Sequence, residues 1–161
     1  MAESTLFLSV FEATPSPCLL LQPDVPHYTI AAVNNAYLQA TAIQKHHVIG
    51  KGLFEAFPGN PNDQDSDGVA NLLTSLQTVI ATMQPHTMAR QKYDIPVRGT
   101  NMFEVRFWDP VNIPVFDAAG TITAIIHSVK DVTTEELALQ NASAANAASK
   151  ESTDLLQHAE R

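Results

Sequence analysis

Residues 121–136 read TITAIIHSVKDVTTEE, and this stretch holds the change of secondary structure that decides the fold. Residues 121–132 are mostly β-branched or apolar on both alternating faces, which is typical of a strand covered on both sides. Thr133 and Glu136 then have the spacing of a capping box, which marks a helix start. The chain therefore passes directly from a buried strand into a helix.

The segment after this strand has a different composition. It consists mainly of Glu, Leu, Ala, Gln and Ser, and it contains neither Gly nor Pro between residues 133 and 161. A helix of this length extends roughly 40 Å, which is too long for it to pack wholly on its own domain. We expect residues 133–161 to form a linker or a dimer strut.

Three extended segments supply the C-terminal part of the predicted sheet: residues 86–95, 101–115 and 121–132. A DAAG turn separates the last two segments, so they should form an antiparallel hairpin. Pro110 and Pro114 lie inside the middle segment, where each removes a backbone donor. We therefore expect the middle strand to be bulged or interrupted at these prolines.

The other elements come from helical periodicity and turn residues. Apolar residues recur at intervals of three and four between residues 69 and 83, which predicts a long amphipathic helix with Asp67 as its N-cap. Smaller elements precede it: an amphipathic helix at 3–12, strands at 18–21 and 28–33, a helix capped by Asn34, and short helices at 45–49 and 53–57. Together they indicate an α+β fold, in which a five-stranded antiparallel sheet carries helices on one face. The predicted divisions are an N-terminal helical cap at 1–12, a core at 13–132 and a C-terminal helix at 133–161.

Composition and charge exclude several classes of function. Seventeen Asp and Glu residues against nine Lys and Arg give a formal net charge of −8, and no basic stripe is present that could neutralise phosphates. No apolar run approaches the roughly 18 residues of a membrane span. We therefore expect no nucleic-acid partner and no membrane contact by this segment. Cys18 is the single cysteine, and residues 1–4 lack the basic region of a secretory signal, which favours a cytoplasmic setting.

Five segments, in order, resemble PAS domains of bacterial two-component sensor histidine kinases: AVNNAY at 32–37, GKGLFEAFP at 50–58, FEVRFW at 103–108, PVFD at 114–117 and IIHSVKDVT at 125–133. The resemblance covers about residues 10–135, and its most specific part is the Asp-x-Thr signal junction of Asp131 and Thr133. It implies a sensory and dimerisation module, the input domain of a kinase, that forms a homodimer through its N-terminal and C-terminal helices. One alternative is a receptor domain of another output class, such as a diguanylate cyclase or a transcription regulator. Another is a small enzyme with a cone-like α+β fold.

The resemblance also implies a pocket between the concave face of the sheet and the small helices. The candidate lining residues are Tyr37, Phe54, Leu73, Phe103, Val105, Ile125 and His127. An imidazole that faces a pocket can hydrogen-bond a ligand, but His127 is also explained as a satisfied core or interface histidine. Two further pairs either lie at the pocket mouth or pair across neighbouring strands: Tyr93 with Asp94, and Arg106 with Trp108.

Three chromophore classes of this family require residues that the sequence lacks. The light-sensing flavin subclass needs a reactive cysteine in the helix after the first hairpin, whereas Cys18 lies in the first predicted strand. The coumaryl-bound yellow protein uses a cysteine in the second half of the domain, where this chain has none. The haem subclass places its proximal histidine on the long helix, and residues 67–84 contain no histidine. We therefore expect neither haem nor a cysteinyl flavin, which leaves a small metabolite or no ligand.

No metal or catalytic motif is complete in the sequence. Residues 63–68, DQDSDG, imitate the start of a calcium loop, but Thr74 stands where the bidentate glutamate is needed, so an acidic loop is the simpler interpretation. The sequence has no G-x-S-x-G, Walker or zinc signature, and no phosphoacceptor histidine box follows Thr133. We expect no metal site, no catalytic residue and no enzymatic activity in this chain.

Overall fold

The computed structural model describes residues 2–159, so the predicted helical positions of Met1, Glu160 and Arg161 lie outside the described residues. Two compact units are present, the first ending at Asp131 and the second beginning at Val132. The helices are α1 (Ala2–Ala13), α2 (Asn35–Thr41), α3 (Leu53–Ala56), α4 (Gly68–Thr82) and α5 (Thr133–Ala159), with a 3-10 turn at Lys45–His47. The strands are β1 (Cys18–Leu21), β2 (Ile30–Val33), β3 (His86–Thr87), β4 (Gln91–Lys92), β5 (Ile95–Pro96), β6 (Phe103–Glu104), β7 (Phe107–Phe116) and β8 (Ile122–Asp131).

The main sheet of the first unit is antiparallel, with the order β2-β1-β8-β7-β3. Strand β4 also pairs with β7, so β3 and β4 occupy the same edge position one after the other. The predicted α+β fold with five strand positions is thereby confirmed. The hairpin of β7 and β8 forms its centre, since it is paired from Trp108 opposite Asp131 to Phe116 opposite Ile122.

The prolines of β7 do not interrupt the strand, contrary to the sequence prediction. Strand β7 is continuous through Pro110 and Pro114, and its register shifts only between Val115 and Phe116. The carbonyl of Pro110 accepts from the Met88 amide, so its ring nitrogen faces the same edge, at the gap between β3 and β4. Pro114 lies two residues beyond the last pair with β3, so it faces an edge where no donor is needed.

The single strand predicted at residues 86–95 is instead divided into three short segments. Strands β3 and β4 pair with β7, whereas β5 pairs with β6 in a separate two-stranded sheet. The predicted strand at 101–115 is divided in the same way into β6 and β7. The division of the edge strand follows from Pro110, because it has no amide proton with which to continue the ladder after Met88.

The first hairpin and its following helix match the prediction closely. Strand β1 has the predicted bounds, and β2 starts at Ile30 because Tyr28 has a left-handed φ of 47° and leaves the strand. Asn34 caps α2, as predicted, and its Oδ1 accepts from the Tyr37 amide and from the Cys18 amide, both at 3.0 Å. This buried side chain therefore fixes both the helix start and the entry of β1.

Helix α4 lies where its periodicity predicts, and it supplies part of the core. Leu76 and Val79 are fully buried in a cluster that includes Leu19 of β1 and Ile125 of β8. Asp67 occupies the N-cap position, but its side chain makes no capping hydrogen bond. The amphipathic pattern thus defines the packed face of α4 without the predicted cap.

Helices α1 and α5 carry exposed side chains. Helix α1 exposes Leu6, Phe7, Leu8 and Val10, and no described residue of α5 is buried. Helix α5 begins at Thr133, with the Glu136 amide bonded to the Val132 carbonyl, so Val132 rather than Thr133 is the cap position. Within residues 2–159, no helix is both long and apolar enough to cross a membrane.

Candidate ligand cavity and strand junction

A cavity of about 60 Å³ lies inside the first unit, where α2, α3 and the start of α4 face the sheet. Five aromatic side chains line it: Tyr37, Phe54, Phe57, Tyr93 and Trp108. Leucine, isoleucine, methionine and valine side chains make up half of the remaining lining residues. Among the described residues, no Lys, Arg, Asp or Glu belongs to this lining, so the cavity is apolar with a few polar atoms.

His127 brings the most defined polar group to the cavity. It is buried on β8, and its Nδ1 lies 2.7 Å from Oδ1 of Asn112 on β7. Asn112 Nδ2 donates to Ser75 Oγ at 2.8 Å, which orients the amide so that Oδ1 is the acceptor. The proton of His127 therefore sits on Nδ1, and Nε2 is left as a bare acceptor. Burial lowers the pKa of His127 to about 4, so the ring is neutral near pH 7.

The polar contacts continue beyond Asn112. Ser75 Oγ also lies 2.7 Å from Nδ1 of the half-buried His86 on β3. These contacts form one hydrogen-bonded network that runs from the cavity wall, through β7 and α4, to the edge of the sheet. Its members are His127, Asn112, Ser75 and His86. This chain satisfies the polar groups that the cavity would otherwise leave unpaired in the core.

Tyr37 and Tyr93 both line the cavity, and each carries a phenol hydroxyl. Burial raises the pKa of Tyr37 and that of Tyr93, so both phenols keep their protons. Tyr93 Oη accepts from the Gly59 amide at 2.9 Å. Within the described residues, no hydrogen bond joins the Tyr37 hydroxyl to another protein group. The ring of Tyr37 packs edge-on against that of His127, with centroids 6.4 Å apart.

Three of the seven residues predicted for the pocket line this cavity: Tyr37, Phe54 and His127. Ile125 lies on the same face of β8 as His127, but its side chain is fully packed in the core. Leu73 lies one position along α4 from the lining residue Leu72 and packs against the core.

Phe103 and Val105, also predicted for the pocket, lie outside the cavity lining. Phe103 belongs to β6, in the separate two-stranded sheet, and Val105 directly follows that strand with its side chain exposed. The division of the predicted strand at 101–115 therefore displaces both side chains from the cavity.

The sequence left the roles of Tyr93 and Trp108 open, and both side chains line the cavity. Trp108 Nε1 donates to the Tyr93 carbonyl at 2.9 Å, which ties the two together. Gly68 was missed, although a glycine at a helix start is a visible signal. A Cβ at Gly68 would lie 3.1 Å from the Tyr93 ring, so the absence of a side chain lets α4 approach this wall.

The candidate signal junction is held by Arg106, which lies in the two-residue link between β6 and β7. Arg106 Nη1 donates to Asp131 Oδ2 at 2.8 Å, and Nη2 lies 2.9 Å from Glu104 Oε2. Asp131 is the last residue of β8, and Thr133 is the first residue of α5. One charged side chain therefore fixes the final residue of the sheet directly before the long helix.

The acidic loop before α4 contacts a lysine. Lys92 Nζ bonds to Asp63 and lies 3.2 Å from Asp94 Oδ2. Across residues 2–159, no group of three or more His, Cys, Asp and Glu side chains is placed to hold a metal ion.

The fold and the cavity together define an α+β domain, in which an antiparallel sheet and short helices enclose a small cavity. A family model described as the PAS fold matches residues 11–137. The chain belongs to the PAS family. A comparison with curated proteins found no significant match.

Solved structures have the same fold. The PAS domain of a Colwellia psychrerythraea protein is 8% identical to this chain, with a TM-score of 0.61. The match covers 82% of this chain and 98% of the Colwellia chain. The PAS domain of Bordetella pertussis BvgS is 21% identical with a TM-score of 0.57, covering 92% and 99%. A sensory box sensor histidine kinase from Vibrio cholerae is 19% identical with a TM-score of 0.51, covering 83% and 95%. Light-oxygen-voltage receptors and a potassium-channel PAS domain also match.

Proposed function

We propose that this chain is the sensory and dimerisation module of a bacterial signalling protein, and that it serves as the input domain of a sensor histidine kinase. The observation that carries the proposal is the junction, where Arg106 holds Asp131 at the end of β8 and α5 starts at Thr133. A change at the cavity reaches this point along β8, which carries both His127 and Asp131. Rigid secondary elements can carry coupling between two sites, and β8 would do so between the cavity and the start of α5.

The kinase output is supported by the Vibrio cholerae sensor histidine kinase, whose matched structure is a sensory box protein. The fold also occurs in a potassium channel and in light-oxygen-voltage receptors, so the fold alone does not select the output. A receptor domain of a diguanylate cyclase or a transcription regulator is the second candidate. We assign no catalysis to this chain, because the cavity wall contains no carboxylate or lysine to act with His127.

The input is a small metabolite or a partner rather than haem or a cysteinyl flavin. Cys18 is buried in β1 and is not part of the cavity wall. The cavity is also small compared with the roughly 300–1,000 Å³ of sites for larger ligands. These features support a compact ligand.

Dimerisation is supported by the apolar side chains of α1. Leu6 is 60% exposed and Phe7 is 66% exposed, and apolar clusters of this kind commonly mark interaction surfaces. Multi-angle light scattering over a concentration series should show a dimer that Phe7→Glu weakens. Met102→Glu is the matched control, since Met102 is equally exposed but lies in the loop before β6. A wild-type chain that stays monomeric at high micromolar concentration contradicts the dimer.

The signalling role is tested by joining the chain in phase, after residue 161, to a histidine kinase core. Asp131→Asn should change the autophosphorylation rate several-fold, because it removes the charge that Arg106 holds at the junction. Asp109→Asn is the control, since Asp109 lies on β7 and pairs with Arg90 instead of Arg106. Equal rates for the wild type and both variants would count against the input role.

A further inference from the structure

The polar atoms of the cavity specify the chemistry of its ligand. We propose that the cavity binds a compact, uncharged aliphatic alcohol, whose hydroxyl group accepts a hydrogen bond from Tyr37 and donates one to Nε2 of His127. This inference rests on the proposed sensory function and goes beyond it by naming the class of ligand.

The acceptor side of the site follows from the Asn112 amide. Because Asn112 Nδ2 is committed to Ser75, its Oδ1 must accept from His127 Nδ1, and the neutral ring then has no proton at Nε2. Within the described residues, Nε2 has no hydrogen-bond partner, and His127 lines the cavity. A ligand therefore gains most by presenting a donor to this nitrogen.

The donor side follows from Tyr37. Tyr37 is 6% exposed and lines the cavity. Its hydroxyl has no hydrogen-bond partner among the described residues. A phenol hydroxyl with no protein acceptor on the cavity wall can donate to a ligand, so a ligand acceptor is favoured at this point. A hydroxyl is the smallest group that both accepts and donates, so it meets the needs of Tyr37 and His127 together.

The wall excludes charged ligands. Among the described lining residues there is no Lys, Arg, Asp or Glu, and His127 is neutral near pH 7. Neither a carboxylate nor an ammonium group would find a counter-charge there, and an unpaired charge in an apolar site is strongly disfavoured. The ligand is therefore neutral.

The volume limits the size of the ligand. The cavity of about 60 Å³ has room for several water molecules, whereas an apolar cavity of about 150 Å³ is needed for benzene. Benzene has six heavy atoms, so at the same volume per atom this cavity holds about two or three heavy atoms without movement of the wall, which is the size of ethanol. Such small ligands bind weakly, with a Kd on the order of 1 mM.

Three probes with the same heavy-atom count separate these requirements: ethanol, dimethyl ether and ethylammonium. The alcohol can donate and accept, the ether can only accept, and the ammonium is charged. Each is titrated into the isotope-labelled full chain at pH 7, and the imidazole nitrogens of His127 are followed by NMR. The alcohol should shift the Nε2 resonance and leave Nδ1 nearly unchanged, and it should bind at least about tenfold more tightly than either of the others.

Two variants test the donor. Tyr37→Phe removes only the unpartnered hydroxyl and should weaken alcohol binding about fivefold or more. Tyr28→Phe is the matched control, because the Tyr28 hydroxyl is buried without a partner but lies outside the cavity lining, and binding should be unchanged. Equal loss in both variants would contradict a contact with Tyr37.

The other outcomes are equally decisive. If the ether binds as tightly as the alcohol, no hydrogen bond is donated to His127 and the ligand class is wrong. If ethylammonium binds most tightly, the neutral class is wrong. If none of the three shifts any cavity residue at about 50 mM, the alcohol class is overturned. The kinase fusion and the light scattering still report on the sensory function in each case, so the two failures are distinguishable.

Discussion

His127 Nδ1 lies 2.7 Å from Asn112 Oδ1 in the interior of the sheet, so the two central strands are joined by a polar side-chain pair as well as by their backbone ladder. Asn112 is fully buried, and its amide reaches Ser75 on α4. The pair therefore ties the sheet to the long helix. It also holds the imidazole in one tautomer, and the burial of the ring makes its protonation costly.

The first prediction is a loss of stability in mild acid. Burial lowers the pKa of His127 to about 4 in the folded chain, whereas an unfolded histidine titrates near 6.5. Between about pH 6.5 and pH 4 the unfolded chain binds the extra proton, so the free energy of unfolding falls with pH by up to about 3 kcal/mol. Urea titrations at pH 7, 6, 5 and 4.5 measure this slope.

His127→Gln is the control for that slope. Its side-chain amide can still donate to Asn112, but it does not titrate. The variant should lose less stability than the wild type over the same window. Carboxylates such as Asp63 and Asp109, whose pKa values are lowered by hydrogen bonds from Lys92 and Arg90, act at lower pH. A wild-type stability that is flat from pH 6.5 to 4.5 contradicts a neutral buried imidazole.

The second prediction concerns Tyr28, whose hydroxyl is buried without a hydrogen-bond partner. Tyr28→Phe removes this orphaned group and keeps the ring, so the free energy of unfolding should rise by about 1 kcal/mol. Tyr37→Phe should change stability less, because the Tyr37 side chain lines the cavity. Thermal and urea unfolding of both variants gives the comparison. A marked destabilisation by Tyr28→Phe would show that the hydroxyl has a partner in solution.

Local patterns were enough to predict the parts of the fold that depend on neighbours in sequence. The amphipathic spacing of α4, the alternation of β8 and the cap at Asn34 were predicted correctly because each depends on residues within a few positions. The effect of Pro110 on the edge strand was not predicted correctly. Whether a proline breaks a strand depends on which edge it faces, and that edge is set by the pairing of β7 with β3 and β4.

The cavity shows the same limit. Tyr37 and His127 were predicted for the pocket, and both line the cavity because they follow directly from a capped helix and an alternating strand. Tyr93 and Trp108 meet there because the ladder between β3 and β7 ends near Pro110 and β4 then pairs with β7 further along the same edge. That meeting depends on long-range register, which periodicity does not contain.

The third prediction tests the packed face of α4. Leu76 is fully buried against the sheet, so Leu76→Ala should lower the free energy of unfolding by about 2–5 kcal/mol through lost burial and the cavity that remains. Leu139→Ala is the control, because Leu139 of α5 is 61% exposed and should change stability by less than about 0.5 kcal/mol. Urea unfolding followed by circular dichroism measures both. Equal effects would contradict the assignment of the core.

The fourth prediction concerns the junction, where Arg106 bridges Glu104 and Asp131. A double-mutant cycle with Arg106→Gln and Asp131→Asn should give a coupling of about 0.5–1 kcal/mol, since the Arg106–Asp131 pair is only about three-tenths exposed. Glu104 is more exposed, so Glu104→Gln should couple more weakly to the same arginine. Because Asp131 ends β8, breaking the pair should also speed amide hydrogen exchange at the end of β8 more than in β1. Strictly additive effects, with unchanged exchange at residues 129–131, would mean that the arginine does not hold the end of the strand.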